Sequence, residues 1–336
     1  MSDNGQSCPP HYRYRPSVFR GEPSHCAETV YVIGGLYGNI EALHAIFRMQ
    51  EDEARAGRRV SLVFNGDFNW FNVDLQGFRE INAAVLAHVA IQGNVEAEIG
   101  APSDSGCGCN YPDYVDATVV ARSNAIMREL QSIAADAPGI RGTLAALPMV
   151  RTIQVGDSRI GIVHGDAEAL AGWAFAAERL AANEKCTASE TLAVELAVQP
   201  TPLAKIATFF REANVCAFAS THTCLPLARD FDVDGAARLV INNGAAGMPN
   251  FTGSTCGVIT RISIDRAVPC GSLYGIEIGG VRFDALPVHY DQTAWVDAFL
   301  RNWPPGSPAH ASYFHRIVSG PRFAVSDAIG GRVRRM

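Results

Sequence analysis

The stretch TVYVIGG at residues 29–35 decides the fold of this chain. Its five β-branched or apolar residues indicate a buried strand, and the glycine pair that follows ends that strand. Residues 39–56 then have helical spacing, and VSLVF at residues 60–64 indicates a second buried strand, which Asn65-Gly66-Asp67 ends. A strand, a helix and a further strand in this order predict an α/β fold.

The rest of the chain continues this alternation. Helices are predicted at residues 75–90, 117–135, 168–213 and 291–302. Strands are predicted at residues 90–92, 151–155, 159–163, 215–218, 238–241, 257–265 and 273–288. We expect a main domain at residues 28–290, a loosely packed lead-in at residues 1–27, and a C-terminal helix and surface tail at residues 291–336.

The composition argues against several classes of protein. Of 336 residues 48% are hydrophobic, which is enough to bury one large core. The net charge of −6 gives no electrostatic footprint for a nucleic-acid partner. Without an apolar run that predicts a membrane span or signal segment, we expect a cytoplasmic protein with reduced thiols. Cys107 and Cys109 form a C-x-C pair that we interpret as ordinary loop residues.

Polar residues follow the predicted strands at the points where the strands end. The metal-ligand candidates among them are Asp67, Asn94, His164 and His222. Ligands of open α/β sheets bind at the carboxyl ends of strands, so these side chains are expected to converge. Carboxylate, amide and imidazole groups together suit one divalent transition metal: Mn, Fe, Zn or Ni. Taken singly, each residue is equally consistent with an ordinary turn or core position.

The order of these segments resembles the calcineurin-like metallophosphoesterases. Their signature is D-x-H-G-N, G-D, G-N-[H/C]-[D/E], H-G and G-H-T-H-x-P. The corresponding segments here lie at residues 35–39, 66–67, 93–96, 164–165 and 221–226, and residues 242–249 resemble a further turn of bacterial members. The resemblance covers about residues 28–290 and implies a four-layer α/β/β/α sandwich with its site at the sheet edges.

The departures from this pattern fall on one of the family's two metals. Both metals share the aspartate of G-D. The first metal also takes the aspartate and histidine of D-x-H and the last histidine of G-H-T-H. Those positions hold Gly35, Tyr37 and Cys224 here, so the resemblance implies a degenerate first site.

The ligands of the other metal are all retained. The resemblance assigns it Asn94, His164 and His222, with Asp67 as the shared carboxylate. It therefore implies one metal per chain. As alternatives, Tyr37 and Cys224 rebuild a second site with Asp67, or they simply fill the vacated space by packing.

Four further residues are candidates for catalysis or substrate binding: Asn39, Glu96, Arg229 and Arg316. An arginine could replace the charge of the missing metal, because phosphoryl transfer relies on electrostatic stabilisation. Glu96 could act as an acid because Val95 stands where many relatives have histidine, although relatives use this acidic position structurally. Trp70 and Phe71 are either a substrate platform or core residues.

Three functions are compatible with this pattern. The first is a single-metal hydrolase of a small-molecule phosphate monoester or diester. The second is a non-catalytic relative that binds a metal or a phosphate group and acts as a sensor or partner module. The third is a different metal-dependent reaction on the same scaffold, such as redox chemistry that uses Cys224.

Overall fold

The computed structural model describes residues 5–6, 8–181 and 198–336. The predicted helix at residues 168–213 lies partly outside these ranges, at residues 182–197. No helix within the described part of the chain combines the length and the apolar character needed to cross a membrane.

Within the described residues the strands form two sheets. The seven-stranded sheet has the order β13-β11-β12-β10-β2-β3-β4. Its strands are β2 (Thr29–Ile33), β3 (Val60–Phe64), β4 (Val89–Ala90), β10 (Gly257–Ser263), β11 (Tyr274–Ile278), β12 (Val281–Val288) and β13 (Arg334–Arg335). The six-stranded sheet has the order β1-β5-β6-β7-β9-β8. Its strands are β1 (His25–Ala27), β5 (Val150–Val155), β6 (Ser158–Val163), β7 (Ala217–Ser220), β8 (Leu227–Val233) and β9 (Ala236–Asn242).

Helices connect these strands. They are α1 (Ile40–Arg55), α2 (Leu75–Val85), α3 (Asn94–Gly100), α4 (Ala117–Ala135), α5 (Pro138–Ala146), α6 (Ala177–Ala181), α7 (Leu203–Ala213), α8 (Gln292–Asn302), α9 (Pro308–Ser319) and α10 (Val325–Ala328). The predicted helices at residues 39–56, 117–135 and 291–302 are confirmed within a residue or two, whereas the one at residues 75–90 ends at Val85.

The alternation of side chains along β2 shows how the layers stack. Val30 and Val32 pack into a core that also holds side chains of the six-stranded sheet, such as Ile160. Tyr31 and Ile33 point the other way, into a second core shared with the helices α1, α2, α4 and α8. Because successive side chains of a strand face opposite sides, β2 is buried on both faces. Together with α7 on the far side of the six-stranded sheet, this confirms the predicted α/β/β/α sandwich.

The topology brings the carboxyl ends of four strands together. In one sheet β2 pairs in parallel with β3, and β3 with β4. In the other, β6 pairs in parallel with β7. The loops that follow β3, β4, β6 and β7 therefore emerge at neighbouring edges, where the polar segments of the sequence lie.

The N-terminal segment is packed, so the prediction of a loose lead-in is wrong for its described part. Tyr12 and Phe19 are both fully buried, and His25–Ala27 forms β1 beside β5. Because this segment is rich in proline, arginine and polar residues, its composition gives no indication of the two aromatic side chains that attach it to the core.

Two other predictions need correction. The tail after Pro304 does not merely wrap the surface, since it forms α9 and α10 and ends in β13. Residues 168–176 form a loop rather than a helix, because the buried Asp166 carboxylate accepts hydrogen bonds from the backbone N–H groups of residues 168, 169 and 174.

Replacing Phe19 tests the packing of the N-terminal segment. Its ring is fully buried, with its centroid 5.5 Å from that of Phe218. We expect Phe19→Ala to lower the free energy of unfolding by about 3–5 kcal/mol, because truncation leaves a cavity. The neighbouring Val18 is 47% exposed, so Val18→Ala should stay within about 0.5 kcal/mol of wild type. Urea denaturation measures both; equal, small effects would contradict the packing described here.

Candidate metal centre

The structure brings the four predicted metal ligands together. Ligand atoms of Asp67, His164 and His222 all lie within 4.8 Å of one another, and all three side chains are buried. The amide oxygen of Asn94 joins them, with its Oδ1 atom 3.2 Å from His164 Nε2. Residues from two sheets and four loops therefore point at one place.

A glycine lets the chain pass close enough for this convergence. Gly93 lies directly before Asn94. A Cβ atom at this position would lie 2.2 Å from Asp67 Oδ1 and 2.9 Å from His164 Cε1. Any side chain here would push the carboxylate or the imidazole away, so glycine is required by close approach.

Backbone carbonyls fix which nitrogen of each histidine carries the proton. His164 Nδ1 lies 2.9 Å from the carbonyl oxygen of Asn65, and His222 Nε2 lies 2.9 Å from that of Cys109. A carbonyl oxygen can only accept, so both nitrogens are N–H donors. The other nitrogens, His164 Nε2 and His222 Nδ1, then face each other at 3.3 Å with their lone pairs. Such carbonyl partners typically orient metal-binding histidines.

The two oxygen ligands are oriented in the same way. The amide nitrogen of Asn94 donates to the Cys107 carbonyl oxygen at 2.9 Å, which turns its oxygen toward His164. Asp67 Oδ1 accepts from the Val95 N–H and lies 3.3 Å from His164 Nε2. Four acceptor atoms thus converge, and their own N–H groups are committed elsewhere. A cation placed among these acceptor atoms would be bound by all four. The set of nitrogen and oxygen ligands suits a divalent transition metal.

At Asp67 and His222, but not at His164, the pKa shifts favour the forms that bind a metal. Burial lowers the pKa of His222 to about 4, and the nearby His164 adds to this effect. Burial also acts to lower the pKa of His164, but the Asp67 carboxylate outweighs it and the pKa is raised. Burial acts to raise the pKa of Asp67, and His164 outweighs it, so that pKa is lowered. Ionised aspartate and neutral histidine are the forms that bind metals.

The Tyr37 ring excludes a side chain at position 35. A Cβ atom on Gly35 would lie 2.3 Å from Cζ and 2.6 Å from the hydroxyl oxygen of Tyr37. The phenol ring of Tyr37 therefore occupies the space that an aspartate at position 35 would need. The residues at positions 35 and 37 therefore have a single steric explanation: the tyrosine ring is accommodated because position 35 is glycine.

The Tyr37 hydroxyl and the Cys224 thiol satisfy each other. Cys224 Sγ lies 3.1 Å from the carbonyl oxygen of His222, to which the thiol donates. The Tyr37 hydroxyl lies 2.7 Å from the same sulfur and donates to it. Phe71 packs against Tyr37, with ring centroids 5.7 Å apart. This geometry favours the interpretation that the pair fills the vacated space, and it gives no support to a rebuilt second metal site.

Two of the four catalytic candidates have structural roles. The Glu96 carboxylate accepts from the backbone N–H groups of Asp67 at 2.7 Å and Gly93 at 3.1 Å, which contradicts its interpretation as an acid. Burial, with the Asp67 charge, raises its pKa to about 7. Asn39 is fully buried and caps α1, with its side chain accepting from the Ala42 N–H and donating to the Gly247 carbonyl.

The two candidate arginines differ. Arg229 is 1% exposed, and its guanidinium donates to the carbonyl oxygens of Ala328 and Asp327, so its prediction as a substrate-binding residue is wrong. Arg316 instead lines a cavity of about 440 Å³ beside the metal ligands. Its Nη2 donates to the Cys224 carbonyl at 2.8 Å, and its Nε to that of Pro249 at 3.3 Å. Arg316 is therefore held on the Cys224 side of the site.

Sequence reasoning missed several residues of this cavity. Arg122, Tyr111, Trp173 and Tyr313 line it, and Trp70 contributes as well, whereas Phe71 belongs to the core. Cys109 was interpreted as an ordinary loop residue, yet its carbonyl oxygen accepts from both His222 and Trp173. These residues come from α4, α9 and loops outside the strand-end motifs. The C-x-C pair was the available indication of this role in the sequence. The backbone carbonyl oxygens of the pair orient Asn94 and His222.

Comparison with known proteins gives a fold and no closer relationship. No protein-family model matches the sequence, and no curated protein matches it significantly. A hypothetical protein of Pyrococcus horikoshii OT3 matches over 88% of this chain and 99% of its own, at 14% identity and a TM-score of 0.56. The Pyrococcus protein shares this fold. A metallophosphoesterase of Sphaerobacter thermophilus matches over 88% of this chain and 100% of its own, at 16% identity and a TM-score of 0.48.

A double-mutant cycle tests whether the Tyr37 ring excludes a side chain at position 35. Gly35→Ala should lower the free energy of unfolding by about 1–3 kcal/mol in wild type, because the new methyl group overlaps the Tyr37 ring. In a Tyr37→Ala background the same change should cost close to nothing, because the ring is gone.

The control is Gly142→Ala in α5, where an added Cβ meets nothing within 4 Å. It should be neutral or stabilise by up to about 1 kcal/mol in either background. An equal cost of Gly35→Ala with and without Tyr37, measured by chemical denaturation, would contradict the exclusion.

Proposed function

We propose that this protein is a metallophosphoesterase-like hydrolase of a small-molecule phosphoester that works with one divalent metal ion. The observation that carries the proposal is the convergence of Asp67, Asn94, His164 and His222, each oriented by a backbone partner. Such a set suits Mn, Fe, Zn or Ni. A metal held there would supply Lewis acidity toward a phosphoryl oxygen and toward water.

Arg316 would supply positive charge where the family's other metal is missing. Its guanidinium is fixed by two carbonyl oxygens and lines the cavity beside the vacated position. A rigid guanidinium matches the oxygens of a phosphoryl group and can hold two of them. The role of Arg316 is therefore to bind and orient the phosphoryl group.

The leaving group receives little help from the lining of the site. Val95 lines the cavity and has no proton to give, and Glu96 is committed to backbone N–H groups. Esters whose leaving group is stable without a proton should therefore react fastest. Aryl esters belong to this group and alkyl esters do not.

A second candidate function rests on the filling of the vacated site. Tyr37 is fully buried against Phe71, and Phe71 also packs on Tyr313, with ring centroids 5.0 Å apart. Aromatic side chains packed into the site in this way suit a protein that binds a metal or a phosphate group without turnover. Measurement of phosphoester hydrolysis during metal addition separates this candidate from the hydrolase.

Hydrolysis of bis(4-nitrophenyl) phosphate and 4-nitrophenyl phosphate, measured during stepwise addition of Mn²⁺ to metal-free protein, tests the proposal. We expect a rate that saturates at one metal per chain. His222→Ala should lower that rate by at least about 100-fold, because it removes a ligand rather than an outer-shell partner.

The matched control is His44→Ala, which removes an exposed histidine of α1 and should leave the rate unchanged. Metal-dependent turnover that survives His222→Ala would contradict the assigned site. Metal binding without turnover of either ester would favour the second candidate over the hydrolase.

A further inference from the structure

The cavity beside the metal ligands has a collar of aromatic rings. Tyr111 and Trp173 lie with ring centroids 6.0 Å apart, and Trp70 and Tyr313 with centroids 6.4 Å apart. All four line the cavity. Tyr111, Trp173 and Tyr313 are only partly buried, so part of each ring surface faces the open space.

Two polar groups of this collar are hydrogen-bonded within the protein. Trp173 Nε1 donates to the Cys109 carbonyl at 3.1 Å, and the Tyr111 hydroxyl lies 3.0 Å from Ser123 Oγ. Because the tips of these side chains are fixed, their ring faces are held in place. A fixed ring face favours contact with another planar ring.

The collar is also joined to the metal centre. The carbonyl oxygen of Cys109 accepts from Trp173 and from His222 Nε2. The rings of Trp173 and His222 meet edge to face, with centroids 5.4 Å apart. A group that rests on Trp173 therefore lies directly beside the metal ligands.

The charges around the cavity favour an anion. Among the described residues that line it, Asp67 is the one carboxylate, whereas Arg122 and Arg316 are both arginines. Neither arginine forms an ion pair with a carboxylate in the described part of the chain. Arg122 comes from α4 and Arg316 from α9, so the two cations enter the cavity from different helices.

From these observations we infer that the cavity selects phosphate esters that carry a planar aromatic ring. The ring lies on Trp173, Tyr111 and Tyr313, and the anionic group lies between the metal ligands and the two arginines. The volume of about 440 Å³ lies within the range of small-molecule sites. This inference rests on the proposed function for the nature of the anion, but it concerns binding and needs no turnover.

Calorimetric titration of the Mn²⁺-loaded full chain with phenylphosphonate and methylphosphonate tests the inference. Neither probe has a phosphoester bond, so neither can be hydrolysed as an ester. We expect phenylphosphonate to bind at least about tenfold more tightly, since only it gains contact with the rings. Trp173→Leu and, at a different element, Tyr313→Leu should each lower the ratio of the two affinities, a readout that cancels any effect on the metal centre common to both probes.

The arginine part has its own variant and control. Arg122→Gln should weaken both probes by about tenfold, because it removes a charge-assisted contact to the shared phosphonate. Arg128→Gln, at an exposed position of the same helix, should weaken neither.

The outcomes separate this inference from the proposed function. Equal affinities for the two probes in wild type, or a preference that survives both ring variants, would overturn the aromatic selectivity. Unchanged binding in Arg122→Gln would overturn the role of that arginine. A protein that prefers phenylphosphonate and hydrolyses no ester would retain the selectivity and overturn only the hydrolase.

Discussion

The site depends on one electrostatic constraint. The acceptor atoms of four buried side chains converge, and the N–H groups of these side chains donate elsewhere. His164 and His222 each direct an N–H group at a backbone carbonyl, so that His164 Nε2 faces Asp67, Asn94 and the remaining nitrogen of His222. Buried acceptors without a donor are costly, and a cation removes that cost. The fold makes this possible because parallel strands of both sheets end at the same place.

A steric constraint shapes the side of the site that holds Tyr37 and Cys224. Tyr37 fills the volume that a side chain at Gly35 would need, and its hydroxyl is bonded to Cys224. The hydrogen bonds that orient His164 and His222 go to the carbonyl oxygens of Asn65 and Cys109 and do not involve Tyr37. Arg316, anchored on the Cys224 carbonyl, adds positive charge at the same side.

Strand ends made the centre predictable from the sequence. His164 directly follows β6 and His222 lies two residues after the end of β7, and the direction of a strand fixes where the residues at its end lie. The cavity wall was not predictable in this way, because Arg122, Trp173 and Tyr313 are brought together by the packing of helices and a loop. Only tertiary contacts show that Arg229 is buried on carbonyls while Arg316 lines the cavity. The N-terminal aromatic Phe19 was missed because the polar composition around it outweighs a single ring.

Elemental analysis of the purified protein by plasma mass spectrometry tests the central claim most directly, with His164→Ala and Cys224→Ala beside wild type. The account predicts one transition metal per chain, lost in His164→Ala and kept in Cys224→Ala. The Cys224 thiol is hydrogen-bonded to the Tyr37 hydroxyl and to a backbone carbonyl oxygen, so truncation of its side chain should leave the four ligands in place. Two metals per chain, with one lost in Cys224→Ala, would contradict the single-metal account, and so would wild-type protein that binds no metal.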